Sequence, residues 1–123
     1  MCSKGASSAE EEKDGGDEEM SKKMTTVYDK IEMWAIERNL IDGSTSQAQF
    51  VKLAEELGEV AECISKGKPI GELEKEIGDM IVVLTILAAQ NGLRFDDCAN
   101  AAYHKIKDRK GRMENGVFIK QGD

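Results

Sequence analysis

Glu55, Glu56, Glu59 and Glu62 fall within one short run, KLAEELGEVAE, and a second acidic pair, Glu76 and Asp79, leads into a stretch that is apolar almost all round. Residues three or four apart share a helix face, so Glu56 neighbours Glu59, Glu55 neighbours Glu59, and Glu76 stands beside Asp79. Like charges at that spacing repel by a few tenths of a kcal/mol per pair. For the first run alone the plain reading is a solvated face, because Glu55, Glu59 and Glu62 lie opposite the apolar positions of their helix. The second run weighs differently. Met80, Val83, Ile86 and Leu87 continue the face of Glu76 and Asp79, and Ile77, Ile81, Val82, Leu84 and Ala88 make the other side apolar as well. Such a helix is expected to be buried on several sides, by its own neighbours and by a second subunit. Two carboxylates at its approach lose roughly several kcal/mol of hydration if nothing compensates them.

Three compensations exist: protonation, a Lys or Arg partner, or a bound cation. Protonation requires a strongly raised pKa for two adjacent groups. Lys66, Lys68 and Lys75 are near in sequence and could build an internal salt-bridge network. Four or five carboxylates converging from two helices with no lysine between them suit a hard divalent ion better, and Mg²⁺ takes oxygen ligands while keeping positions open to phosphate oxygens. Other metals fit poorly. The only histidine is His104 and no CxxC occurs, which argues against zinc. A di-iron bundle needs Glu-x-x-His pairs, and Ala101 stands three before His104. The alternating Asp/Asn of a calcium-binding EF-hand loop is missing too.

The elements that must position these acids are helices. Thr25 or Thr26 can cap a first helix carrying Val27, Ile31, Trp34, Ala35 and Leu40, ended by Asn39 and the Asp42-Gly43 turn. Ser44 or Ser46 is the expected cap of a second, over about residues 47–65, whose stripe is Phe50, Leu53, Ala54, Leu57, Val60, Ala61 and Ile64. KGKPIG closes it. The third runs from near Glu72 to about Gln90 with Asn91-Gly92 as its left-handed cap, and the fourth from Phe95 or Asp96 to roughly Lys110. ENGVFIKQGD then offers an Asn-Gly turn and a short strand. Four helices with short connections make an all-α four-helix bundle. Residues 1–23 are poor in apolar side chains and read as a disordered acidic tail, leaving residues 24–123 as the helical domain.

Composition sets outer bounds. The 123-residue chain suffices for one domain, and its formal charge of −7 argues against nonspecific binding to nucleic acid or an anionic membrane. Its longest apolar run is well short of the ~20 residues that span a bilayer. The opening residues lack the basic-then-apolar layout of a secretory signal, and three widely spaced cysteines, Cys2, Cys63 and Cys98, suit reduced thiols. A cytoplasmic protein is expected.

Glu55-Glu56-x-x-Glu59 followed by Glu76-x-x-Asp79 matches EExxE…ExxD, and the chain from about residue 25 to 120 resembles the MazG-like, all-α nucleotide pyrophosphohydrolases. QAQFVKLAEELGEVAE and DRKGRMENGVFIK look especially like short phage and bacterial members. The resemblance implies hydrolysis of nucleoside triphosphates between the α and β phosphates to a monophosphate and pyrophosphate. It implies that Glu56, Glu59, Glu76 and Asp79 ligate Mg²⁺ (Mn²⁺ as a substitute), with Glu55 binding a second ion or orienting water. It also implies a homodimer or homotetramer whose packed helices complete the core, and host cytoplasm if the chain is phage-encoded. Glu55 or Glu59 could take the proton of the attacking water. Lys52, Lys105 and Arg109 are candidate phosphate contacts, Arg109 foremost because its guanidinium is a planar fork. Each is balanced by a bland reading as a charge near a helix end. Trp34 is a core residue by default, with base stacking as the lesser reading. His104 stands where similar phage proteins carry asparagine. Two alternatives stay open: a non-catalytic helical interaction module with a solvated acidic face, and an enzyme for a related phosphoanhydride such as a modified nucleotide or an alarmone.

Overall fold

Thr26 starts the first helix, α1 (Val27–Glu37), through a reciprocal capping box. The Asp29 N–H donates to the Thr26 hydroxyl, and the Thr26 N–H donates to the Asp29 carboxylate. The computed structural model describes residues 25–122, so the expected acidic tail over residues 1–23 lies outside the described residues. Helix α1 closes at Glu37, before the expected Asn39, because Asn39 takes a left-handed backbone at φ 59° that asparagine tolerates.

Thr45, not either flanking serine, caps α2 (Ser46–Ser65) by accepting the Ala48 N–H at 3.0 Å. Its extended backbone aims the hydroxyl back at the first turn. Thr45→Ala is expected to cost about 1 kcal/mol. In urea titration this should appear as a lower midpoint at unchanged slope.

Helix α3 (Ile70–Gln90) begins two residues before the expected Glu72, since Pro69 holds φ near the value a helix entry needs. It ends as expected at Asn91, with Gly92 at φ 73°. Helix α4 (Phe95–Ile106) stops short of the expected Lys110. Five cations between residues 105 and 112 would repel one another on a continued helix, and Gly111 is a poor helix former. The chain instead forms a hairpin, β1 (Gly111–Glu114) paired antiparallel with β2 (Val117–Lys120), Met113 opposite Phe118. Asn115 and Gly116 turn it at φ 51° and 80°, both positive as a tight two-residue hairpin turn requires.

Helix α3 is the hub. Helices α2, α1 and α4 all pack against it, α2 most extensively. Val83, Thr85, Ile86 and Ala88 of α3 are buried, joined by Ala35 from α1 and by Gln49 and Cys63 from α2. Thr85 satisfies its hydroxyl within the helix, donating to the Ile81 carbonyl at 2.7 Å. An Arg94–Asp29 ion pair and the Tyr28–Phe95 rings, 5.1 Å between centroids, tie the start of α1 to the start of α4. Gln90 donates to the Ile41 carbonyl at 3.3 Å, anchoring the α1–α2 connection.

Two sequence expectations about the core need correction. Only part of the α2 stripe turns toward the core of this chain: Leu53 and Val60 are half-buried, whereas Phe50 is 64% exposed, Leu57 57% and Ile64 66%. The line of α2 facing α3 is Gln49, Leu53, Glu56, Val60 and Cys63, all buried or half-buried. That line carries the glutamate, so the acidic run is not wholly a solvated face. Trp34 is likewise on the surface, 43% exposed, with the Arg38 guanidinium 4.7 Å over its ring. Among the described residues no single helix is long and apolar enough to cross a membrane.

Candidate metal centre

Side-by-side packing of α2 and α3 sets Glu56 against the first turns of α3. Glu56, Glu76 and Asp79 each offer a carboxylate oxygen, and the three atoms lie within 4.8 Å of one another. The arrangement follows from helical spacing. Glu56 falls on the same line of α2 as Leu53, Val60 and Cys63, which pack toward α3, and Glu76 and Asp79 are one turn apart on the facing helix. The Glu56 side chain is only 12% exposed, Glu76 is half-buried and Asp79 is exposed. The group is therefore dry on its inner side and open on its outer side.

Charge is unbalanced there. Lys52 lies 3.6 Å from Glu56 and 3.7 Å from Glu55, so the expectation of no lysine among these acids needs correction. Lys66 and Lys68 pair with Glu62 instead, at 2.8 and 3.8 Å, and hold its carboxyl below the usual range. No ion pair reaches Glu76 or Asp79 among the described residues. Burial pushes the Glu76 carboxyl above its ordinary value, and the charges of Glu59, Asp79 and Glu56 push it further the same way. The structure thus answers the compensation question on one side: of Lys66, Lys68 and Lys75, none pairs with Glu76 or Asp79.

The donor set fits a hard divalent ion. All three groups are carboxylates, the ligand type of Mg²⁺, Mn²⁺ and Ca²⁺ rather than of soft metals. Cys63, buried just beneath, is not a competing ligand, because burial raises its thiol pKa, opposed by Lys68 and reinforced by Glu76, Glu72 and Glu59. Glu59 stands outside the three-carboxylate group, yet near enough for its charge to act on both Glu76 and Cys63. Glu55 is exposed beside Lys52. Cys63, read from sequence as a helix-packing residue, is buried accordingly, and Glu72, near enough for its charge to act on Cys63, was not singled out as a neighbour of the site. Glu72 could have been found, since it stands four residues before Glu76 on the same face.

Lys105 and Arg109 are not joined to these acids. Both side chains are exposed, and neither makes an ion pair or side-chain hydrogen bond among the described residues. Trp34 sits on α1, in contact with Arg38.

The MazG nucleotide pyrophosphohydrolase domain is matched by residues 44–113, a segment that contains all the acids of the cluster. The chain belongs to the MazG family. MazG-family members are generally dependent on a divalent metal, in keeping with the carboxylate cluster. The chain is also similar to a Haemophilus phage HP1 protein described as an uncharacterized 18.2 kDa protein in the rep-hol intergenic region, 51% identical over 61 residues. That match covers 50% of this chain and 37% of the phage protein, so it spans well under half of the relative. No solved structure matches the chain.

Proposed function

We propose that residues 24–123 form a Mg²⁺-dependent pyrophosphohydrolase that cleaves nucleoside triphosphates, ribo or deoxy, between the α and β phosphates. The observation that carries this reading is the trio Glu56, Glu76 and Asp79, drawn within 4.8 Å inside the MazG-matched segment, the last two with no Lys or Arg ion pair among the described residues. Glu56, Glu59, Glu76 and Asp79 would hold the ion, and Mn²⁺ could replace Mg²⁺. Bound there, the ion supplies charge neutralisation at the phosphate oxygens and acidifies water.

The chain's own residues do the rest. Glu59, exposed at the open edge, takes the proton of the attacking water. Glu55, tethered to Lys52, orients that water. Lys52 turns from the carboxylates to a phosphate oxygen when substrate enters. Water's oxygen bonds to phosphorus, the bridging bond between the α and β phosphates breaks, and pyrophosphate leaves with the bridging oxygen. No Ser or Cys nucleophile is needed, since phosphoryl transfer depends mainly on positioning and charge stabilisation.

The exposed apolar residues Phe50, Leu57 and Ile64 support assembly as a homodimer or homotetramer, because such a continuous helix stripe is covered in a stable protein. The test is pyrophosphate release from a panel of nucleoside triphosphates, modified nucleotides and alarmones with Mg²⁺. Release that stops with EDTA and returns with Mg²⁺ or Mn²⁺ is expected. Absence of release from every compound overturns the assignment and favours the interaction module.

A further inference from the structure

Lys52 puts a positive charge among the acids. It stands one turn before Glu56 on α2, 3.6 Å from that carboxylate and 3.7 Å from Glu55. Both separations are longer than a hydrogen bond, so charge rather than a directional contact holds the ammonium there. Lys66, at the end of α2, makes the contrast by donating to Glu62 at 2.8 Å. Burial is uneven across the Lys52–Glu56 pair, with the glutamate side chain 12% exposed and the lysine 55%. Glu56 has therefore given up most of its water and takes its compensation from Lys52. The lysine keeps its contact with solvent, and its flexible four-carbon stem lets the charge swing away.

Glu56 is also the ligand that α2 contributes to the three-carboxylate cluster. An ammonium and a divalent ion then draw on one carboxylate, and two cations at that range repel each other. Whatever places Lys52 on Glu56 weakens the ion, and whatever draws Lys52 off strengthens it. In the pyrophosphohydrolase reading a triphosphate does the drawing, since its oxygens offer the ammonium a second place to sit.

We propose that Lys52 is a built-in competitor of the divalent ion, which holds Glu56 until substrate arrives and, by moving to a phosphate oxygen, makes nucleotide and ion bind cooperatively. The competition rests on the carboxylate cluster as an ion site, and the coupling rests further on the pyrophosphohydrolase reading. By linkage the coupling is reciprocal: the ion favours nucleotide as much as nucleotide favours the ion.

Calorimetric titration of the full chain with Mg²⁺ alone reads the competition. Lys52→Met removes the charge and keeps the helix preference of the side chain. It should bind Mg²⁺ roughly fivefold more tightly than the parent, at the low end of couplings between sites because Lys52 is half exposed. Lys52→Arg keeps the charge but grips the carboxylate with a planar fork, and should bind Mg²⁺ more weakly than the parent. Lys66→Met removes the same charge from the far end of α2. It should leave the affinity unchanged at physiological salt, where exposed charges more than about 8 Å apart are largely screened. Without metal, Lys52→Met should unfold at a lower temperature than the parent, and saturating Mg²⁺ should erase the difference. A purely structural ion pair would lower the Tm in both conditions. Equal Mg²⁺ affinity in the parent and Lys52→Met, or an equal gain in Lys66→Met, overturns the competition.

Titration with a nucleoside triphosphate whose α–β bridge is methylene, at several buffered levels of free Mg²⁺, reads the coupling. The affinity for this analogue should climb with Mg²⁺ more steeply in the parent than in Lys52→Met, and equal slopes overturn the coupling. Tighter Mg²⁺ binding by Lys52→Met in a chain that releases no pyrophosphate supports the competition while sinking the assigned reaction. Pyrophosphate release with an unchanged Mg²⁺ affinity does the reverse.

Discussion

Asp79→Asn is expected to fold like the parent and to lower kcat by at least about a thousandfold, since a metal site contributes several kcal/mol of transition-state stabilisation and each ~1.4 kcal/mol is tenfold. The side chain is exposed and makes no ion pair among the described residues, so the change removes a charge without opening a cavity. What it removes is one of the three oxygens within 4.8 Å. Glu56→Gln should behave alike in activity. It also removes one of the two carboxylates beside Lys52, 3.6 Å away, and leaves Glu55 at 3.7 Å, so a modest change in stability is expected there as well. Glu59→Gln tests a different role: loss of a general base costs roughly a hundredfold to ten-thousandfold, with Mg²⁺ affinity reduced less than by Asp79→Asn. Steady-state kinetics over a Mg²⁺ titration separates the two, because a lost ligand is partly rescued by excess ion and a lost base is not. Parental kcat in a folded Asp79→Asn protein would remove this carboxylate from the mechanism.

The helices and their turns were legible because each is written in local spacing. Thr26, Asn91-Gly92 and Asn115-Gly116 act within a few residues, so their types declare the cap or turn they form. The pairing of Glu56 with Glu76 and Asp79 crosses two helices, and it was reached from resemblance to a family motif together with the apolar character of α3. The facing of α2 was misjudged for a physical reason. Phe50, Leu57 and Ile64 of the apolar stripe stay exposed, and a mixed line through Gln49, Leu53, Glu56, Val60 and Cys63 packs inward. Hydrophobic periodicity shows that a helix has a face to cover and not what covers it. Trp34 misled in the same way, its ring meeting Arg38 rather than the core. The end of α4 failed on a third count, since charge crowding after Lys105 overrode a pattern of good helix formers.

The metal-free protein should be less stable at neutral pH than its Glu76→Gln variant, and Mg²⁺ should reverse that order. Burial, with Glu59, Asp79 and Glu56 adding to it, holds the folded Glu76 carboxyl above its ordinary pKa. A raised folded pKa means that the fold binds this proton more tightly than the unfolded chain does. The associated stability is complete below the unfolded pKa, in the ordinary glutamate range, and is lost as pH rises through the raised folded value. Glutamine keeps the neutral state at every pH. The two proteins should therefore unfold alike in acid, with EDTA present, and diverge as pH climbs toward neutrality, the variant being the more stable. With Mg²⁺ the parent gains by mass action, about 2.7 kcal/mol at a hundredfold excess over Kd, a rise in Tm on the order of 10 °C for a domain of this size. The variant, short of one ligand, gains far less. Protons compete with the ion for Glu76, so the parent's Mg²⁺ shift should fade as pH falls through that raised pKa. Differential scanning fluorimetry across pH, with EDTA or Mg²⁺, reads all four curves. An acidic face serving only as a solvated interaction surface produces the first effect without the second. The reversal by Mg²⁺ is thus what ties the cost of crowding these carboxylates to a use for them.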